Sequence, residues 1–374
     1  MADVKHITHD RGRRRRRADR TPSPTTWRPV TACRRGGVVR TDALQYMPPL
    51  SLDSRIDAWR NATWRAHDNL PSALLLNPMV SADVASRIGK AVRLALRDSA
   101  GSCIPKGAVV LSIADPSVAR LRELSLRRVA RLQCFMQRVI TLCLDGYTDS
   151  RGGTCVPAAT QTRKGMSKAA GGSRHRSEKW SQLSWAKWPL LHVALSEGGA
   201  RMALFIDADV LLLRNPFARM DAAQLAWPSF HHQEDCLTAT DRAAKSCEQP
   251  CRLNTGFLLV TSASFCWEVL RQLHPRRWTA RMPLDQDVLQ WGMKAFLRRD
   301  HNVTSCSLSA QVFASHCSEP YAQRLHVRGI KRINRCQLVA YHATCLYNVS
   351  QKLAQLEATL SQVERRCKKR GLAT

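Results

Sequence analysis

The sequence predicts an α/β protein with a mostly parallel central sheet flanked by helices. Three observations carry that expectation. Short apolar runs ending in acid, Gly or Pro recur from Ala108 onward, separated by stretches of helical apolar spacing. The run Ala108–Ile113, the helical stretch Val118–Phe135 and the run Arg138–Leu144 make a strand–helix–strand unit, and such a crossover implies parallel pairing. The short run Leu204–Ile206 is apolar and bounded, as suits a buried strand.

Taken in order, residues 1–50 are Arg-, Pro- and Thr-rich without period and read as a disordered basic tail, with Arg13–Arg17 unbroken. Such a tail either binds RNA or an import receptor, or is simply solvated. Residues 51–105 read as a helical lead-in, with Val84, Ile88, Val92 and Ala95 at helical spacing. Residues 106–374 read as one domain. Its first strand, Ala108–Ile113, ends at Asp115-Pro116, and the helix Val118–Phe135 has Leu121, Leu124, Val129 and Leu132 as apolar positions. Asp145, after the strand Arg138–Leu144, either contacts a nucleotide or caps a turn. Ser150–Arg176 reads as a mobile loop whose Arg163, Lys164, Lys168, Arg174 and Arg176 either fold over a diphosphate or are solvated. Trp180–Glu197 is the next helix, stopped by Gly198-Gly199. It carries Lys187 among apolar positions, either snorkelling or reaching the carboxyl end of the following strand.

Gln224–Phe230 reads as a short strand. His231 to Cys236, with Cys247 and Cys251, could bind zinc, but the spacing fits no common zinc motif and favours disulfides in a substrate loop. Asn254-Thr255-Gly256-Phe257 leads into the strand Leu258–Val260, and Gly256 permits close backbone approach to a ligand. A helix over Phe265–Leu273 follows, then Asp285-Gln286-Asp287 opens another, where helix capping alone would explain the acids. Ser305–Phe313 and Gln337–Tyr341 are the last strands, His342 follows, and Ser350 to about Lys369 is a terminal amphipathic helix.

Composition narrows the partners. The 374 residues are 44% hydrophobic, enough for a real core. Fifty-eight basic against 29 acidic residues give a formal charge of +29, which suits nucleotide, phosphate, acidic polymer or membrane surface. The 14 cysteines contain no Cys-x-x-Cys pair, so a zinc ribbon or thioredoxin-like motif is not expected. With the sequons at Asn61, Asn302 and Asn348 they point to an oxidising secretory compartment. No signal peptide or apolar span of about 20 residues is visible, and Leu70–Val80 is interrupted by Pro71 and Pro78. A missing upstream segment would reconcile these facts.

The chemistry gathers at Met202–Phe217, where Asp207 and Asp209 stand between two apolar runs. The carboxyl ends of strands are where open α/β sheets bind ligands. A carboxylate pair there is placed to hold a hard divalent cation, and through it a diphosphate. The plain alternative is a solvated turn, but the second apolar run would draw such a turn inward.

Four signals in fixed order then resemble the nucleotide-diphospho-sugar transferases of GT-A fold, a Rossmann-like architecture. They are the Lys-bearing helix before Phe-Ile-Asp-Ala-Asp-Val, then Asn-Thr-Gly-Phe, then Asp-Gln-Asp, then a strand leading to His342 with Lys352 beyond. The extended Leu-Phe-Ile-Asp-Ala-Asp-Val-Leu-Leu-Leu-Arg-Asn-Pro-Phe most resembles the group containing glycosyltransferase family 77. The resemblance implies Asp207, Asp209 and His342 as ligands of Mn²⁺ or Mg²⁺, with Asp209 the principal one. It implies Asn254 and Gly256 in the donor-sugar pocket, Asp285 and Gln286 beside the reacting sugar, and Lys352 with Lys187 on the diphosphate. The glycine usual between the late His and Lys is absent from Ala343–Gln351. The implied activity is transfer of a hexosyl or pentosyl group from a nucleotide sugar, expected to be a UDP-sugar, to a glycan or glycoprotein in the Golgi lumen, with retention of configuration. A basic nucleic-acid-binding protein is the rival, although no nucleic-acid-binding signature is visible. A transferase-like fold that only binds glycans is a third reading.

Overall fold

The computed structural model describes residues 31–34, 77, 79–97, 103–159, 178–220, 230–235, 252–273, 285–286, 288–289, 305–308, 312–317, 334–346 and 348–369. Most of the basic tail, residues 51–76, the basic loop positions 163–176, the expected strand over 224–229, Cys236, Cys247, Cys251, Asp287 and the sequons at Asn61 and Asn302 lie outside them.

The described chain runs β1 (Thr31–Arg34), α1 (Ala82–Arg97), β2 (Ala108–Ala114), α2 (Ala119–Leu126), α3 (Gln133–Met136), β3 (Val139–Leu144), β4 (Thr154–Ala158), α4 (Glu178–Ser196), β5 (Met202–Ile206), β6 (Val210–Leu212), β7 (Phe230–Asp235), β8 (Arg252–Val260), α5 (Ala263–Leu273), β9 (Ser305–Leu308), β10 (Phe313–Ser315), β11 (Ala340–His342) and α6 (Val349–Lys368). Eight strands form one sheet in the order β1-β9-β7-β8-β5-β2-β3-β4, and β10-β11-β6 form a second. The expected α/β class holds. The main sheet is parallel from β5 through β2 and β3 to β4 and at β7–β9, and antiparallel at β5–β8, β7–β8 and β1–β9. The second sheet sits where β5 continues past Asp207 and Asp209 into β6, which pairs antiparallel with β11.

Burial explains the sheet. β2 and β3 are apolar along nearly their whole length because helices cover one face and the second sheet with α3 covers the other. On the first face α1, α4 and α5 deliver Val92, Trp185, Trp188, Leu191 and Phe265. α4 ends as its glycines predict. The Gly198 N–H bonds to the Val193 carbonyl, Gly199 takes φ +71°, and a side chain at Gly198 would strike Val92 of α1.

Several expectations need correction. The single helix over Val118–Phe135 is two short helices joined by a 3₁₀ turn over Val129–Arg131. Leu132, named as one of the apolar positions of that helix, is 37% exposed, so the apolar period does not describe one face. Instead Arg122 and Ser125 are buried, Ser125 bonding to the Val210 carbonyl, and Cys134 is tied to Cys103. The loop over Ser150–Arg176 begins with a strand, β4, held to β3 through Cys143–Cys155. Ser305–Phe313 is not one strand: β9 and β10 belong to different sheets, a change that alternation cannot reveal. His231 to Asp235, read as part of a Cys-rich loop, is strand β7 paired with β8. The last strand starts at Ala340 and includes His342. Thr31–Arg34, inside the stretch read as tail, lies antiparallel to β9.

Disulfides join Cys103–Cys134, Cys143–Cys155, Cys317–Cys345 and Cys336–Cys367, and Cys266 is a buried free thiol. Four cross-links point to an oxidising, secretory or extracellular compartment. Among the described residues no helix is long and apolar enough to cross a membrane.

Candidate active site

β5 delivers Asp207 to the carboxyl edge of the main sheet, where its N–H bonds to the Gly256 carbonyl at 2.8 Å. The chain turns, the Val210 N–H bonding to the Asp207 carbonyl at 3.1 Å, and β6 carries it into the second sheet. The second apolar run is buried throughout, which rules out the solvated turn. The Asp209 side chain is 10% exposed, whereas the Asp207 side chain keeps 37% of its surface open.

β11 places His342 opposite Val210, so the imidazole meets the acid pair, and Nε2 lies 3.2 Å from Asp209 Oδ1. The first turn of α6 places the Lys352 Nζ 2.5 Å from the other oxygen, Oδ2. Asn348 fixes that start by accepting the Gln351 N–H at 2.8 Å. Asp207, Asp209 and His342 can each turn one ligand atom to a common point, these atoms lying within 4.8 Å of one another.

Gly256 keeps the space between them open. A Cβ there would overlap the His342 Cε1 and stand 2.5 Å from Asp207 Oδ2 and 2.9 Å from His342 Nε2. Its N–H is held by Asn254 Oδ1 at 2.7 Å, so Asn254 supports the strand edge as well as lining it. The two carboxylates and one imidazole, with room between them, suit Mn²⁺ or Mg²⁺.

Behind this cluster lies a second one. Lys187 is buried, so it does not snorkel. Its Nζ lies 3.4 Å from Asp285 Oδ2 and 3.8 Å from Asp207 Oδ1, and it donates to the Thr255 carbonyl and hydroxyl at 3.2 and 3.0 Å. Asp285 also accepts the Trp188 indole N–H at 3.2 Å. The acid of the Asp-Gln-Asp segment is therefore more than a helix cap: its helix start packs against α4 and points a buried carboxylate at Lys187. Gln286 beside it is half-buried.

The charges reinforce one another. Burial alone would lower the Lys187 pKa, but Asp207 and then Asp285 outweigh it, so the ammonium is held above its ordinary range. For Asp209 burial acts upward, and the Lys352 ammonium overcomes it and holds the carboxyl well below the usual range. Lys352 is correspondingly raised, Asp209 outweighing its burial.

Of the positions singled out in the sequence, Asp207, Asp209, His342, Lys352, Gly256, Asn254, Lys187 and Asp285 come together at this edge of the sheet. Three contributors were missed: Thr255, Trp188 and Gln233, whose Oε1 is 3.1 Å from His342 Nδ1. Gln233 lies in a stretch whose His and Cys content masks its strand alternation.

Residues 134–356 match the family of nucleotide-diphospho-sugar transferases, and the chain belongs to that family. It is a glycosyltransferase that uses a nucleotide-sugar donor. The structure is similar to galactosyltransferase LgtC in complex with donor and acceptor sugar analogues, with 12% identity, 68% of this chain and 95% of that one covered, and a TM-score of 0.40. It is also similar to a glycosyltransferase involved in glycosylation of the major capsid of PBCV-1, with 11% identity, 67% and 98% covered and a TM-score of 0.37. For mouse xyloside xylosyltransferase 1 the values are 10%, 64%, 98% and 0.32. No curated protein matches the sequence.

Proposed function

We propose that the protein is a divalent-metal-dependent transferase, resembling family 77, that moves a hexosyl or pentosyl group from a UDP-sugar to a hydroxyl of a glycan or glycoprotein in the Golgi lumen. The observation that carries this reading is the convergence of Asp207, Asp209 and His342 within 4.8 Å, with Lys352 on the free oxygen of Asp209. Asp207, Asp209 and His342 would hold Mn²⁺ or Mg²⁺, which when bound supplies Lewis-acid stabilisation to a departing diphosphate.

The chain's own groups do the rest. Lys352 brings a full positive charge to the rim of the cluster, where diphosphate charge develops. Lys187, buried and held charged, adds a second cation from behind and fixes Asp285 and Thr255. Gly256 and Asn254 line the donor-sugar side, where only a glycine leaves space beside His342. Asp285 and Gln286 would lie beside the reacting sugar. Asp285 could act as a nucleophile in a retaining route, or orient the sugar while the acceptor attacks from the leaving-group face. Its bonds to Lys187 and Trp188 favour the orienting role.

The family match counts against a dedicated nucleic-acid-binding protein. The test is a panel of nucleotide sugars with Mn²⁺, read as nucleoside diphosphate release, for the wild type and Asp209→Asn. Release by the wild type and a fall on the order of a hundredfold or more in the variant are expected. Silence of the folded wild type across the panel would support glycan binding without transfer, and undiminished release by the variant would sink the site assignment.

A further inference from the structure

We propose that Gln233 sets the tautomer of His342 and so aims the Nε2 lone pair at the acid pair, making Gln233 a positioning residue for the metal site. This rests on the metal reading above. A glutamine amide carries two N–H donors and one acceptor oxygen. Gln233 Nε2 lies 3.0 Å from the Phe313 carbonyl and 2.7 Å from the Ala314 carbonyl. Carbonyls only accept, so both amide hydrogens are spent on them and the amide cannot be turned round. The atom facing His342 Nδ1 at 3.1 Å is therefore Oε1, which also only accepts. Nδ1 must carry the hydrogen. In a neutral imidazole this leaves Nε2 bare, and Nε2 is the nitrogen 3.2 Å from Asp209 Oδ1. A bare nitrogen and a carboxylate oxygen repel one another unless a positive centre stands between them, which is what a shared cation supplies.

The backbone explains how Gln233 gets there. Along β7 the pairing with β8 runs Phe230–Val260, His231–Leu259 and His232–Leu258, then jumps to Gln233–Asn254. Thr255, Gly256 and Phe257 therefore bow out of that ladder. Such an irregularity re-aims side chains beside a site. It presents Gly256 to the acid pair, and Gln233, 1% exposed, reaches across to β10 and β11. β10 runs parallel to β11 with Ser315 opposite His342, so one amide spans three strands and ends on the metal-facing residue. A carboxylate or amide on the far nitrogen of a ligating histidine usually tunes metal affinity by 10–100-fold.

A merely structural glutamine would tie β7 to β10 without dictating the imidazole proton. The two are separated by nitrogen-15 NMR of histidine-labelled protein saturated with the diamagnetic Mg²⁺, with the His342 signals assigned by their loss in His342→Asn. The expected result is an Nδ1–H, Nε2-bare His342. An Nε2–H pattern in the wild type overturns the proposal whatever any variant does. Gln233→Leu should remain folded by circular dichroism and lose the Nδ1–H preference, with Mn²⁺ affinity by calorimetry falling about 10–100-fold. A folded Gln233→Leu that binds Mn²⁺ as the wild type does would overturn it. If that variant does not fold, the wild-type spectrum decides alone. Asp209→Asn separates the two levels. If it retains wild-type Mn²⁺ affinity, the metal reading fails. If it loses affinity while Gln233→Leu does not, only the role of Gln233 fails.

Discussion

The site has two halves, and they are held in place by different means. The acid half, Asp207 and Asp209, hangs on β5, a strand buried in the middle of the main sheet between β2 and β8. Backbone ladders on both sides place it. The other half, His342 and Lys352, belongs to the C-terminal unit of β11 and α6, whose sheet has only three short strands. There Cys336–Cys367 ties the start of the unit to the end of α6, and Cys317–Cys345 pins the turn just after His342 to the turn after β10. The His316 N–H also bonds to the His342 carbonyl at 2.8 Å. A central strand needs no cross-link to be rigid, whereas a small unit with little core of its own does. The missing glycine between His342 and Lys352 fits this picture, since a cross-linked turn with Cys345 at φ +61° stands in that stretch.

The two halves can be perturbed separately. The largest effect is expected at the junction behind both of them. Lys187→Met leaves Asp285 buried without its ammonium and should cost about 3–5 kcal/mol in urea unfolding while abolishing transfer. A loss under about 1 kcal/mol would show that Lys187 does not hold the acids. Next comes the cross-linked half. Replacing Cys336 and Cys367 by alanine opens a 31-residue closure and should cost about 3.5 kcal/mol. Mn²⁺ affinity should fall with it, because His342 moves while Asp207 and Asp209 stay put. Equal affinity in cross-linked and alanine forms would place the rigidity elsewhere.

Gly256→Ala probes the seam. Overpacking there should cost about 1–3 kcal/mol and weaken Mn²⁺ binding, with calorimetry showing the binding loss to exceed the melting shift. The smallest effect is electrostatic. Because the folded pKa of Asp209 is depressed, its stabilisation is present above the unfolded carboxylate pKa of about 4 and is lost as pH falls below it. Lys352→Met should therefore destabilise the metal-free protein by about 1 kcal/mol at pH 7, with the gap narrowing as unfolding is followed below about pH 4. A pH-independent gap would assign Lys352 a packing role instead.

Much of the site was legible because its residues break local patterns in ways that ordinary core packing does not require. Asp207 and Asp209 interrupt an apolar run, Lys187 interrupts an apolar helix, and Gly256 opens a strand. His342 and Lys352 were reached through motif order, not pattern. Gln233 and Trp188 were not legible at all, since an amide or an indole in a strand or helix looks the same whether or not its polar atom meets a carboxylate or an imidazole. The same limit applies to the fold. Apolar runs showed where β2, β3 and β5 lie, but not that the stretch from Ser305 to Phe313 divides between two sheets, because alternation records which faces are buried and says nothing of the neighbour on either edge.

By itself the sequence determined the α/β class, the central strands and the acid pair at the end of β5, because burial period and the cost of an unexplained buried charge are local properties of the chain. Only the tertiary structure decided that His342 and Lys352 share Asp209, that Lys187 joins Asp207 to Asp285, and that Gln233 faces His342. Each of those depends on where strands far apart in sequence are laid side by side, and pairing energy is a property of two segments together.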